Sequence, residues 1–390
     1  MCFNDIIKFC GHKFFCLESI MARVKKVIKG NIVLTVAIIA ALITGFIIPP
    51  DSNYLGYFDM RTLSCLFCTL AVICALKDVD FFYILAKKLI LLCGNTRTVT
   101  LALIYITFIG SMIIANDMAL ITFLPLGYYI LEATNKKHLM AYTFILQNIA
   151  ANLGGMLTPF GNPQNLFLYS KFNIPNGEFM GIMVLPFGVA VLIITLCCLL
   201  VKKEDLIIDE EVHFKSPKKV ALYLLLFLFS ILIVFRIVPY FLGLIIVPLV
   251  LIFSDKHALK AVDYPLLLTF CAFFVFSGNM SRIEIVRDFF SAILEKNTLL
   301  VSAISCQFIS NVPSAVLLSQ FTENYPQLLV GVNIGGVGTL ISSLASLITF
   351  REYTKRDPSG TKRYLLMFTG MNFIFLIVLY IVGAIQFKLF

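Results

Sequence analysis

Charge is scarce in this chain. Asp, Glu, Lys and Arg make up 14% of its 390 residues and 59% are hydrophobic, against roughly a quarter charged in an average soluble protein. That balance excludes a water-soluble globular domain. Histidine is nearly absent: His12, His138, His213 and His257 all fall in loops, so an intramembrane metalloenzyme lacks its ligands. No HExxH pattern, no Walker loop and no Asp-rich repeat for phosphate or prenyl transfer occurs. The 11 cysteines follow no disulfide framework. Cys65, Cys68, Cys74, Cys197, Cys198, Cys271 and Cys306 lie in apolar runs, where a thiol is a small hydrophobe. Cys2, Cys10, His12 and Cys16 form one cluster, but with no familiar zinc spacing. The sequence therefore reads as neither an enzyme nor a metal or cofactor protein.

What is present is apolar sequence in lengths that fit a bilayer. Such segments fall at about 30–49, 56–76, 97–134, 139–170, 178–201, 218–235, 237–254, 262–278, 298–322, 326–350 and 363–388, most of them near the ~20 residues a spanning helix needs. Residues 1–20 are not a signal peptide, Met21 is a candidate start, and the 30–49 run lacks a cleavage site and reads as a retained helix. Two segments are odd. The 97–134 stretch is too long for one span and is broken at Asn116-Asp117, and 298–322 is interrupted at Ser310-Asn311-Val312-Pro313. Both read as re-entrant hairpins with polar tips at mid-membrane, tolerated only where protein or water surrounds them. The other nine cross. With the N-terminus inside, 24 of the 31 Lys and Arg lie on the cytoplasmic side, leaving Arg61, Lys171, Arg236, Arg282, Arg287, Lys296 and Lys388 outside; this satisfies the positive-inside rule and puts the C-terminus outside. The net charge of +9 thus alternates between loops rather than gathering on one face, so nucleic acid is not a partner and the lipid bilayer of the cytoplasmic membrane is.

The chain also repeats itself. Aligning 152–167 with 333–348 pairs Asn152 with Asn333, Gly154-Gly155 with Gly335-Gly336, Thr158 with Thr339 and Leu166 with Leu347. Upstream of each copy stands a hairpin with Asn at its tip, before that an amphipathic stretch (78–88; 281–296), and before that Asp59 or Asp263 opening a Cys- and Phe-rich span. The organisation expected is a cytoplasmic segment 1–29, a first repeat 30–201, a cytoplasmic linker 202–217 and a second repeat 218–390. The topology makes the repeats inverted. The fold class is therefore an all-α polytopic membrane protein with two re-entrant hairpins and two broken helices, the signature of secondary transporters.

The breaks offer chemistry. In Thr158-Pro159-Phe160-Gly161-Asn162-Pro163-Gln164-Asn165, Asn162 before Pro163 marks a helix restart, with the Asn side chain capping a free amide and Gly161 supplying backbone freedom. The second break has Thr339, Ser342, Ser343 and Ser346 at matching positions. With restarts after Asn116 and Asn311, up to four helix N-termini converge and attract an anion without any Lys or Arg. The expected substrate-binding residues are Asn116, Thr158, Gly161, Asn162, Asn165, Asn311, Thr339, Ser342, Ser343 and Ser346. Asp117 is an intramembrane acid with Val312 as its counterpart, and such acids are functional by default; Asp117, with Asn116 and Asn311, is expected to carry the coupling Na⁺ or H⁺.

These motifs, Ala115-Asn116-Asp117, Asn152-Leu153-Gly154-Gly155 through Asn165, and Ser310-Asn311-Val312-Pro313, resemble those of the ion transporter superfamily, which holds arsenite permeases, citrate and divalent-anion symporters and a branch of Na⁺/H⁺ antiporters. The resemblance spans about 30–390. It implies an elevator mechanism, with hairpins and broken helices sliding against a scaffold that forms a homodimer. Divalent-anion members carry Ser-Asn-Thr at each tip; here both threonines are missing and the first serine is Ala115, which brings the first tip closer to the Asn-Asp of arsenite permeases. The leading expectation is a small inorganic or organic anion as substrate. Metalloid oxyacid efflux comes second, because arsenous acid is mostly neutral near pH 7 and gains little from helix N-termini, and Na⁺/H⁺ exchange at Asp117 third.

Overall fold

A computed structural model describes residues 32–205 and 216–389. The candidate start at Met21, the Cys2–Cys16 cluster and most of the 202–217 linker lie outside them. Among the described residues the chain is helical, with one isolated β-bridge between Asn95 and Asp205. Seven stretches among the described residues are long and apolar enough to cross a membrane: Met60–Asp78, Thr96–Ile114, Asn176–Leu199, Pro217–Val234, Lys256–Arg282, Glu284–Ile309 and Thr361–Gln386, with shorter apolar helices at Val33–Ile47 and Tyr240–Ser254. We number the helices α1 (Ile32–Ile47), α2 (Met60–Asp78), α3 (Phe81–Ile90), α4 (Thr96–Ile114), α5 (Asn116–Ala133), α6 (Met140–Gly154), α7 (Pro163–Lys171), α8 (Asn176–Leu199) and α9 (Pro217–Val234). They continue as α10 (Tyr240–Ser254), α11 (Lys256–Lys260), α12 (Tyr264–Arg282), α13 (Glu284–Ile309), α14 (Asn311–Leu318), α15 (Tyr325–Ile334), α16 (Leu344–Arg356) and α17 (Thr361–Gln386).

The helices bury one stripe and expose apolar residues on the other. In α17 Tyr364, Phe368, Asn372, Phe375 and Leu379 are buried while Leu366, Ile374, Ile377, Ile381 and Ile385 are exposed. In α10 Phe253 is 84% exposed. An apolar surface of this extent is costly in water and at no cost in hydrocarbon. The molecule is a multi-pass membrane protein.

The chain divides into two compact units. One comprises, of the described residues, 32–58 and Asp263–Arg282, in which α1 packs on α12. Its polar centre is the buried Asn279, which donates to Tyr54 Oη at 2.9 Å and to Thr44 Oγ1 at 3.4 Å, while Arg282 pairs with Asp51 at 2.8 Å. The other unit, Asp59–Val262 and Ile283–Phe390, holds the remaining helices and the whole candidate site. This division by compactness differs from the halves 30–201 and 218–390 expected from the sequence, since α1 lies in the first of those ranges and α12 in the second.

Several sequence signals have direct counterparts. Asp59 caps α2 by accepting from Thr62 N at 3.0 Å, and Asp263 accepts from Leu266 N at 3.0 Å. The charged stretch 281–296 is set apart from the hairpin arm after it by Asn297, whose φ −162° and ψ 85° interrupt α13 and whose Oδ1 accepts from Leu300 N at 2.8 Å. Asn95 opens α4 with a capping box to Thr98.

At the base of α4 and α5, Glu204 ion-pairs with Lys136, and its carbonyl accepts from Thr96 N at 2.9 Å. The Lys136 ammonium holds the Glu204 carboxyl below the usual Glu range. A depressed acid stabilises the fold above its unfolded pKa of about 4.3 and loses that contribution as pH falls through its lower folded value. Glu204→Gln is therefore expected to lower the melting temperature slightly at about pH 7 and to match the wild type at a pH low enough to protonate Glu204 in the folded as well as the unfolded wild type. Paired thermal melts across that window check it.

Candidate functional site

The two hairpins turn in the same way. Ala115 separates α4 from α5 with φ 65°, ψ 153°, and Ser310 separates α13 from α14 with φ 73°, ψ 159°. That region is essentially reserved for glycine and costs roughly 1–3 kcal/mol for an L-residue. It persists because the next residue secures it: Asn116 Oδ1 accepts from Asp117 N at 2.9 Å, and Asn311 Oδ1 accepts from Val312 N at 2.9 Å. The helices thus restart at Asn116 and Asn311, one residue earlier than the sequence suggests.

The two breaks share a helix-start position. Asn162 and Ser343 are the N-cap residues of α7 and α16. Ser343 caps its helix, accepting from Ser346 N at 3.2 Å and contacting Ser346 Oγ at 2.9 Å. Asn162 does not. Its side chain is drawn away to donate to Asn152 O at 3.2 Å and Asn333 Oδ1 at 3.4 Å. Thr158 and Thr339 serve as staples rather than open ligand groups. Thr158 Oγ1 donates to Met112 O and Thr339 Oγ1 to Gln307 O, both at 2.9 Å, and each acceptor stands three residues before its hairpin tip. Ser342 turns its hydroxyl to Gly336 O at 2.9 Å and Thr339 O at 2.8 Å, and its carbonyl accepts from Asn311 N at 3.0 Å.

Gly161 has a reason other than the expected one. Among the described glycines the positive φ belongs to Gly338, at +138°. A Cβ on Gly161 would lie 2.3 Å from Gly155 O and 2.8 Å from Gly155 Cα. What the first break needs at 161 is the missing side chain, so that two backbones can touch.

A buried amide network joins these parts. Asn116 Nδ2 donates to Asn152 Oδ1 at 3.3 Å, and Asn152 Nδ2 to Asn148 O at 3.0 Å. Asn148 Nδ2 reaches Ser346 Oγ across to the second break at 3.3 Å. Asn333 Nδ2 donates to Asn165 Oδ1 at 2.6 Å, and Gln164 Nε2 to Asn333 Oδ1 at 3.4 Å. The starts of α5, α7, α14 and α16 are thereby gathered into one cluster. Asn116, Asn162, Asn165, Asn311, Ser342, Ser343 and Ser346 all belong to it, and all are buried. Asn148, Gln164 and Gln307 also take part, although the sequence reading did not place them in the site, and Asn152 and Asn333 had entered it only as repeat markers. Their signal was polar residues at four-residue spacing inside apolar helices, as in Asn148 and Asn152.

The electrostatics differ from a pure donor pocket. Several helix-start N–H groups are already used, those of Asp117 and Val312 by the preceding Asn and that of Asn311 by Ser342. Within this amide network the buried oxygens Asn162 Oδ1 and Gln164 Oε1 have no protein partner, and both are acceptors. Asp117 is half-buried in the first turn of α5 and is the one charged side chain among these residues. No group of three His, Cys, Asp or Glu that could hold a metal ion occurs among the described residues.

Comparison with known proteins completes the picture. The profile of the citrate transporter family, CitMHS, matches residues 20–327. An uncharacterized transporter of Methanocaldococcus jannaschii is 35% identical over 294 residues, covering 75% of this chain and 81% of the relative. Inner membrane protein YbiR of Escherichia coli is 24% identical over 338 residues, 85% of this chain and 90% of its own. A silicon efflux transporter of Oryza sativa subsp. japonica is 28% identical over 168 residues, 42% of this chain and 34% of the relative.

Proposed function

The chain belongs to the citrate transporter family and is a transporter rather than an enzyme, and from that premise we propose that it is a secondary active transporter of a small anion, an inorganic oxyanion or a carboxylate. The observation that carries this reading is the gathering of four helix starts into one buried amide and hydroxyl cluster, without Lys or Arg and with Asp117 as its charged group. Fixed amide dipoles and helix N-termini favour an anion. Asp117 couples its movement to H⁺ or Na⁺. The two halves act as inverted repeats, with the hairpins and breaks forming the moving body of an elevator, in a homodimer with the N-terminus cytoplasmic and the C-terminus outside. Cysteine accessibility at the termini tests the sidedness.

One observation favours a second reading. Asn162 Oδ1 and Gln164 Oε1 are buried acceptors, and a neutral hydroxylated oxyacid, as in metalloid efflux, would donate O–H groups to them; a relative named as a silicon efflux transporter points the same way. Competition separates the two. In proteoliposomes loaded for counterflow, carboxylates and inorganic oxyanions are expected to displace the transported label, and inhibition is expected to follow the ionised fraction of each acid. Inhibition that follows the neutral fraction of weak oxyacids would replace the anion reading with the second.

A further inference from the structure

Each break is closed by a side-chain amide. At the first, Asn165 Nδ2 lies 3.1 Å from Gly155 O, 3.2 Å from Met156 O and 3.2 Å from Thr158 O. At the second, Gln307 Nε2 lies 2.9 Å from Gly335 O, 3.0 Å from Ala303 O and 3.4 Å from Val337 O. The far end of each amide fixes its orientation, which is otherwise ambiguous. Asn165 Oδ1 accepts from Asn333 Nδ2 at 2.6 Å, and Gln307 Oε1 accepts from Thr339 N at 2.9 Å. The nitrogens therefore face the carbonyls.

The two amides are not copies of one ancestral residue. Asn165 sits in α7, after its break, and its partner in the repeat is Ser346. Gln307 sits in α13, before its break, and the residue three before the other tip is Met112. Two unrelated positions thus deliver the same group to the same kind of place. At the first break three carbonyls converge on the amide, and at the second the carbonyls of Gly335 and Val337 do, beside the helical Ala303 O one turn before Gln307 on α13; in discontinuous membrane helices carbonyls at such breaks coordinate the coupling cation. Left alone, converging carbonyls in a buried site are expensive. An amide NH₂ offers them two donors and no net charge.

We propose that Asn165 and Gln307 stand permanently in two carbonyl cages that would otherwise take a monovalent cation, so that neither break binds Na⁺ and Asp117 alone carries the coupling charge, as a proton. Removing either amide turns its cage into a monovalent-cation site. The statement about coupling rests on the transport reading above; the statement about the cages does not.

The test is a cation titration of the purified full chain by thermal melting, with LiCl, NaCl or KCl exchanged against choline chloride at constant ionic strength. A ligand that binds only the folded state raises the melting temperature saturably. The wild type is expected to give the same melting temperature in every salt. Asn165→Ala and Gln307→Ala are each expected to gain a saturable, cation-selective rise of about 2 °C or more. Gln307→Met, which fills the cage without donors, is expected to stay flat. A saturable Na⁺- or Li⁺-selective rise in the wild type would overturn the proposal, as would folded alanine variants that respond to no cation. If the alanine variants do not fold, the wild-type titration decides, together with whether its pH-driven uptake survives replacement of Na⁺ by choline. The titration needs no substrate, so a failure to find any transported compound would remove the functional reading and leave the cages standing.

Discussion

Asp117→Asn is expected to abolish accumulation while leaving exchange. One pH unit across the membrane is worth about 1.4 kcal/mol per proton, so one coupled proton sustains about a tenfold concentration ratio of substrate. The variant, which keeps the shape of the side chain but cannot lose a proton, is expected to bring that ratio to about one. A structural role gives a different signature. Asp117 lies in the first turn of α5, where a carboxylate contributes about 0.3–1 kcal/mol through the helix dipole, and losing that lowers stability slightly without separating accumulation from exchange. Measuring counterflow and gradient-driven uptake on the same liposomes distinguishes the two. If Asp117→Asn accumulates substrate as the wild type does, coupling lies elsewhere.

Gly161→Ala is expected to be strongly damaging at the first break. Its Cβ would lie 2.3 Å from Gly155 O, a backbone atom that no rotamer change can move. Relief requires separating the two strands of the break, which also carry the carbonyls held by Asn165 and the Asn162 bonds to Asn152 and Asn333. Overpacking of this kind costs about 1–3 kcal/mol and more where the neighbours are backbone, so we expect about 3 kcal/mol or more of lost stability and no measurable transport. Gly181→Ala supplies the contrast. A Cβ there meets nothing within 4 Å, and in the interior of α8 alanine is expected to gain about 0.5–1 kcal/mol. Melting temperatures and flux of the two variants, measured together, check both; a Gly161→Ala protein that melts and transports like the wild type would contradict the close-packed break.

Much of the site was legible in the sequence because the repeat made it so. Thr158 and Thr339, or Asn162 and Ser343, each look ordinary alone, yet the common spacing marks them as paired, and the structure gives the first pair the same staple and the second the same cap position. Asp59 and Asp263 were legible for the simpler reason that capping is local. What was not legible is long-range. Nothing near Gln307 in the chain indicates that its amide reaches Gly335 and Val337, and nothing near Asn148 indicates Ser346. The strained tips were hidden as well. Alanine and serine rarely adopt the backbone angles of Ala115 and Ser310, so nothing in the sequence marked them as the turning residues, and the restarts were placed one residue late. Gly161 misled in the opposite direction, since glycine suggests unusual dihedrals when the need here was for a close approach.

The central claim is that the cluster joining the starts of α5, α7, α14 and α16 holds the substrate. The most direct measurement is uptake into proteoliposomes of a panel of labelled small oxyanions and carboxylates under an imposed pH gradient, for the wild type, Asn162→Leu and Asn311→Leu. The account predicts that one compound accumulates above equilibrium in the wild type and that both variants, while remaining folded, lose accumulation and counterflow together. Accumulation undiminished in both variants would place the substrate outside the cluster and contradict the account.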